Sequence, residues 1–178
     1  MQSIRALAAI FLAVSILAQT PPPPPTPRPC TAPEFRQFDF WLGEWEVFNP
    51  AGKKIGTSSI TSTNNGCVLL ESWRDTRGGG GNSFNFYETK TGRWHQFWVN
   101  SNGNAAPLSV AADGTPMPMS GSLVNGAMVL RSAATTKPLN RWTWAKLEGG
   151  KVRQHAEQSD DGGTTWKTVF DGLYVPAK

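Results

Sequence analysis

The chain has 178 residues, 39% of them hydrophobic and 17% charged, which is enough for one domain with a true core and too few for two once the N-terminal segments are set aside. Its 17 basic residues outnumber its 13 acidic ones by a formal +4 and are spread along the chain, so no basic stripe points to a nucleic-acid partner.

Residues 1–18 read as a secretory signal, with Arg5 as the positive flank, an apolar run over 6–18 and Ala18 as a small cleavage residue. That run is well short of the roughly 20 apolar residues that cross a bilayer, so cleavage is expected over the competing reading of an uncleaved anchor. The mature chain is then expected to be periplasmic or extracellular, without a membrane span. Residues 19–30 follow as a spacer, with consecutive prolines at 21–25 and further ones at Pro27 and Pro29 that favour extended polyproline and cannot form a core. The folded domain is expected over residues 31–178.

Thr31-Ala32-Pro33-Glu34 has the form of a capping box and predicts a short helix. Phe35, Phe38 and Leu42 at helical spacing give that helix an apolar side able to plug one end of whatever the strands enclose. From Gly43 to Val47 small or apolar residues alternate with acidic ones, the period of a strand with one buried and one wet face. Further strands are expected at 55–63, 68–75, 83–89, 93–100, 108–112, 127–132, 140–147, 151–158 and 166–175. Turn chemistry separates them, as at Asn49-Pro50-Ala51-Gly52, Asn64-Asn65-Gly66, Lys90-Thr91-Gly92 and Asn102-Gly103. Pro107, Pro116 and Pro118 mark residues 105–120 as an irregular loop or ragged edge. About nine or ten short strands joined by sequential hairpins predict an all-β fold, a single antiparallel up-and-down barrel whose closure removes exposed edges. A sandwich is the alternative.

Cys30 and Cys67 are an even pair in a chain read as exported, and a disulfide is expected. The other reading makes Cys67 a nucleophile with His95 or His155 as base. Two histidines and two oxidised cysteines cannot build a four-ligand zinc site, so no metal site is expected. There is no His-Glu-x-x-His, no Gly-x-Ser-x-Gly elbow, and the glycines at 78–81 lack the Lys-Ser/Thr of a phosphate loop. No enzymatic activity is therefore expected. Ser159-x-Asp161-x-Gly163-x-x-Trp166 matches the Asp-box of sialidase-type propellers, but it occurs once, and it reads as a structural turn. That turn also explains the carboxylates of Asp160 and Asp161, the only basis for a glycan hydrolase.

Eight tryptophans are the strongest positive signal. Trp94 and Trp98 flank Gln96 on one strand face, Trp142 and Trp144 share another, and Trp41 and Trp45 share a third if their strand begins early. They either pack a core or wall a cavity for a small apolar or planar ligand. Glu71 lies between Leu69 and Trp73 on a face expected to be buried, where a carboxylate needs a partner. Arg93, Arg141 and Arg153 are the candidates for an ion pair, unless Glu71 is instead the polar anchor of the pocket. The candidate ligand-binding set is Glu71, Trp73, Trp94, Gln96, Trp98 and Trp142. His95 faces away from Trp94 and Gln96, and His155 shares a face with Arg153 and Glu157 that reads as solvated.

A short helix running into Gly43-x-Trp45 resembles the start of calycin-type barrels such as lipocalins, where the tryptophan helps close one end. With residues 38–47, 66–73 and 91–99, nearly the whole mature chain is similar to a family of secreted bacterial calycin-like proteins of unknown function. The resemblance implies a calycin-like (lipocalin-like) barrel and carries over no catalytic residue. Some calycin-like barrels, the nitrobindins, hold haem through one histidine on a late strand, which makes His155 the haem-ligand alternative, although residues 152–158 form no apolar haem wall. Non-covalent binding of a small hydrophobic or aromatic molecule is the expected role. A structural or interaction module of the cell envelope, reaching out on its polyproline spacer, is the alternative.

Overall fold

A computed structural model describes residues 30–103 and 115–178. The expected signal segment, nearly all of the expected spacer and the strand expected at 108–112 lie outside the described residues. The domain is a closed antiparallel barrel of ten strands. They are β1 (Gly43–Phe48), β2 (Lys54–Thr63), β3 (Val68–Asp75), β4 (Gly80–Glu88), β5 (Arg93–Asn100), β6 (Met119–Val124), β7 (Ala127–Arg131), β8 (Leu139–Lys146), β9 (Val152–Ser159) and β10 (Lys167–Pro176). Each pairs with its neighbour in the chain, and β10 closes the ring on β1 from Trp45↔Pro176 to Phe48↔Leu173. The sandwich alternative is thereby overturned. Among the described residues no helix is long and apolar enough to cross a membrane.

Strand β6 falls beside the proline-marked segment, where no strand is expected. Its hairpin to β7 turns on Asn125 and Gly126, at φ 49° and 81°, the left-handed pair that a two-residue turn requires. Gly121 weakens the strand pattern because β6 needs it bare: a Cβ there would sit 1.8 Å from the Val129 carbonyl oxygen.

The N-terminal helix is two 3-10 turns, Pro33–Arg36 and Asp39–Trp41, and the expected capping box does not form. Ala32 is the N-cap, no side chain caps it, and the Phe35 N–H bonds the Ala32 carbonyl three residues back. Three residues per turn replace the helical period, so Phe35, Phe38 and Trp41 are the buried side chains and Leu42 is only half-buried. Phe38 and Trp41 plug one end of the barrel. The Phe38 ring stacks on Trp41 at 5.1 Å and meets Trp94 and Trp144 edge-on at 5.6 and 5.2 Å. Trp45 donates its indole N–H to the Trp41 carbonyl at 3.0 Å, which couples the plug to β1.

The Cys30–Cys67 disulfide, with Cα atoms 5.1 Å apart, ties the entry of the plug to the start of β3. Arg36 reinforces the tie by donating to the Gly66 carbonyl and pairing with Asp39 at 3.3 Å. With Cys67 oxidised, no thiolate nucleophile exists there.

Candidate functional site

Period two on each strand sorts the barrel interior into three levels. Beside the plug lies an apolar level that includes Ile60, Leu69, Trp94, Met119 and Trp144, all buried. Above it is a polar level, formed by Ser58, Glu71, Ser83, Asn85, Gln96 and Gln154, every one also buried. At the far end the half-buried rings of Trp73, Trp98, Trp142 and Phe170 form a mouth open to solvent. Between polar level and mouth is a cavity of about 170 Å³, lined by Glu71, Trp73, Gln96, Trp98, Trp142, Gln154, Phe170 and Tyr174.

Five of the six expected site residues therefore meet around one space. Trp94 does not line it: two positions nearer the plug on β5, it is 2% exposed, packs edge-on against Phe38 and donates to the Gln37 side-chain oxygen at 3.2 Å. Gln154, Phe170 and Tyr174 complete the lining. None of the three is among the residues expected from sequence: Gln154 alternates with the solvated Arg153 and His155, a signal that could have found it, but a bulge between Thr168 and Phe170 breaks the pattern in β10 and hides the other two.

Among the described residues no arginine reaches Glu71. Strand alternation turns Arg93, Arg141 and Arg153 to the outer surface, opposite to Trp94, Trp142 and Gln154. There Arg141 pairs with Glu157 at 2.8 Å, Arg153 with Asp171 at 2.6 Å, and Arg93 donates to the Ser120 carbonyl at 3.5 Å. The Glu71 carboxyl instead accepts from Ser58 at 3.1 Å and Ser83 at 2.8 Å, with the Tyr174 hydroxyl close by. Burial outweighs these hydroxyls and pushes Glu71 up to about 7. Tyr174 donates to the Gln154 side-chain oxygen, and burial followed by the nearby Glu71 charge drives its hydroxyl well above the ordinary phenol value. The network continues sideways: Gln96 donates to Asn85 at 2.8 Å, and Asn85 donates to the Ser83 hydroxyl at 2.9 Å and the Leu69 carbonyl at 3.2 Å. The cavity floor is thus a connected polar surface with one carboxyl at its centre.

Three strand glycines seat the mouth rings. A Cβ on Gly56 would lie 2.5 Å from the Trp73 ring, one on Gly81 2.5 Å from Trp98, and one on Gly172 2.7 Å from Phe170. Each ring lies over bare backbone at the open end of the cavity. Phe170 in turn stacks on Trp142 at 5.9 Å and meets Trp73 edge-on at 6.2 Å.

Both histidines lie outside. His95 stacks on Phe86 at 5.4 Å, and burial, then the charge of Arg93, lowers its pKa. His155 is on the outer face of β9, 3.0 Å from the Thr168 hydroxyl and 3.8 Å from Glu157, so a group held in the cavity is out of its reach. The Asp-box is a turn at the end of β9. Asp161 accepts from Ser159, from the Thr165 hydroxyl and from its backbone N–H, which together hold its carboxyl far below the usual range. Trp166 donates to the Gly163 carbonyl at 3.0 Å, with the Arg141 guanidinium 4.2 Å above its ring. Asp160 turns away to Lys167, so the two carboxylates do not face a common cleft.

Scanned against protein-family models the chain matches none, and no curated protein matches it.

Proposed function

We propose that this chain is an exported, calycin-like carrier or sensor that binds one small planar or aromatic molecule, non-covalently, in the open end of its barrel. The observation that carries this reading is the cavity of about 170 Å³ walled by Trp73, Trp98, Trp142 and Phe170 over a polar floor. That is close to the roughly 150 Å³ of an apolar cavity that accommodates benzene, so one ring fits between the walls. A porphyrin is several rings across and does not fit, which removes haem from the proposal. The disulfide supports export, since such bonds persist in oxidising compartments. Convergent polar groups beneath apolar walls are the usual composition of a small-molecule site.

Covering a ring of about 150 Å² contributes about 4 kcal/mol, which loss of the ligand's free motion partly offsets, so a Kd on the order of 1 mM is the tightest that apolar contact alone gives. The test is a tryptophan-fluorescence titration with phenol. Saturable quenching in the wild type that weakens at least tenfold in Trp98→Ala is expected. Linear, unsaturable quenching identical in both proteins would contradict the reading.

A further inference from the structure

Glu71 sits at the centre of the cavity floor, 3% exposed, and every cation on the surrounding strands is turned away from it. Lys54 on β2 pairs with Glu46, Arg74 on β3 bonds the Trp73 carbonyl on the outside, and Arg141 and Arg153 are held by Glu157 and Asp171. A buried carboxylate without a countercharge is costly, and a barrel built only for apolar cargo has no use for one. Ser58 and Ser83 nevertheless aim hydroxyls at both of its oxygens, an arrangement that favours the ionised form. Above it stand three indoles and a phenyl ring, whose faces are electron-rich and attract cations. An anionic ligand would meet repulsion from floor and walls alike. A carboxylate under an aromatic cage is complementary to a positive charge on a small apolar body.

We propose that the cargo of this cavity is an organic ammonium ion, a protonated amine or methylated ammonium on a single ring or short apolar group, its charge set between Glu71 and the faces of Trp73, Trp98 and Trp142. The proposal rests on the small-ligand reading given above. The groups facing Glu71 from the packed strands are Ser58 of β2, Ser83 of β4, Gln96 of β5, Gln154 of β9 and Tyr174 of β10. Of these only Tyr174 titrates, and it stays neutral, so the pH dependence of cation binding belongs to Glu71.

Calorimetric titration of the mature protein with benzylammonium and with its neutral counterpart, benzyl alcohol, at pH 6 and pH 8 tests this. Glu71 ionises near pH 7, so the fraction competent for a cation rises between the two conditions and benzylammonium is expected to bind about tenfold tighter at pH 8. At pH 6 its binding releases close to one proton, visible as an enthalpy that varies with the ionisation heat of the buffer. Benzyl alcohol is expected to bind more weakly and to gain nothing at pH 8, and Glu71→Gln to abolish the pH dependence for benzylammonium. The wild-type pH series stands on its own if that variant fails to fold. Benzyl alcohol binding as tightly as benzylammonium, or a pH-independent ammonium affinity, would overturn the cation proposal and leave the small-ligand pocket standing. Binding of neither probe would overturn both.

Discussion

Glu71 loses its hydration on folding and gains only hydroxyl partners, which raises its pKa from 4.5 to about 7. Between those values the folded chain holds a proton that the unfolded chain has released, so stability falls as pH rises through this window and levels off above it. The difference is on the order of 3 kcal/mol. Thermal melts from pH 5 to pH 8 are expected to show Tm declining in the wild type, with a flatter curve for Glu71→Gln. The lowered carboxylates, Glu157, Asp171, Asp75 and Asp161, lose their contribution only as pH falls below the ordinary carboxyl range, outside this window. His95, lowered, acts in the opposite sense near neutrality, and the comparison with Glu71→Gln cancels it. A Tm that rises through the window in the difference curve would contradict the buried acid. Gly172 permits a second residue-level prediction, since the three atoms nearest its missing Cβ belong to the side chains of Phe170 and Val47. Gly172→Ala is expected to cost about 1–3 kcal/mol, to displace the Phe170 ring, and to weaken phenol binding about tenfold. Burial of Glu71 was legible from its neighbours Leu69 and Trp73 on one strand face. Its partners were not, because Ser58 and Ser83 come from two other strands whose stagger leaves no mark in a single sequence.

At the scale of elements, hairpins were legible wherever glycine or asparagine must take positive φ, and the strands flanking Gly52, Asn64-Asn65-Gly66 and Gly92 fall close to where the pattern puts them. Pattern failed where tertiary contact overrides it. β6 carries Gly121 because β7 approaches too closely for a side chain, and β10 carries a bulge that shifts Phe170 and Tyr174 out of simple alternation. The plug was legible as an apolar element before β1, though not as 3-10 turns, since the choice depends on how Phe38 and Trp41 fit between Trp94 and Trp144. Trp41→Ala leaves a cavity at the closed end and is expected to cost about 3–5 kcal/mol by denaturant unfolding. The Cys30–Cys67 bridge closes a sequence separation of 37 residues, and its removal in Cys30→Ala/Cys67→Ala is expected to cost about 3–4 kcal/mol. Unchanged midpoints in both variants would mean that the plug is not part of the cooperative fold.

For the whole molecule, closure of ten sequential strands leaves no edge, and what remains to be filled is the interior. One half is filled by aromatic packing, the other is a floor of hydrogen-bonded polar groups under an aromatic mouth. Closure was legible from the train of hairpins. The division into filled and open halves was not, because several strands carry large apolar residues on both faces, as β4 does with Phe84 outside and Tyr87 inside. The eight tryptophans report this division directly through their indole N–H resonances. Titrating isotope-labelled protein with phenol and following those signals is the most direct test. Saturable shifts concentrated at Trp73, Trp98 and Trp142, with Trp41, Trp45, Trp94, Trp144 and Trp166 little changed, are the predicted result. Shifts concentrated at Trp166 or spread evenly over all eight, or no saturable shift at all, would contradict a ligand site at the open end.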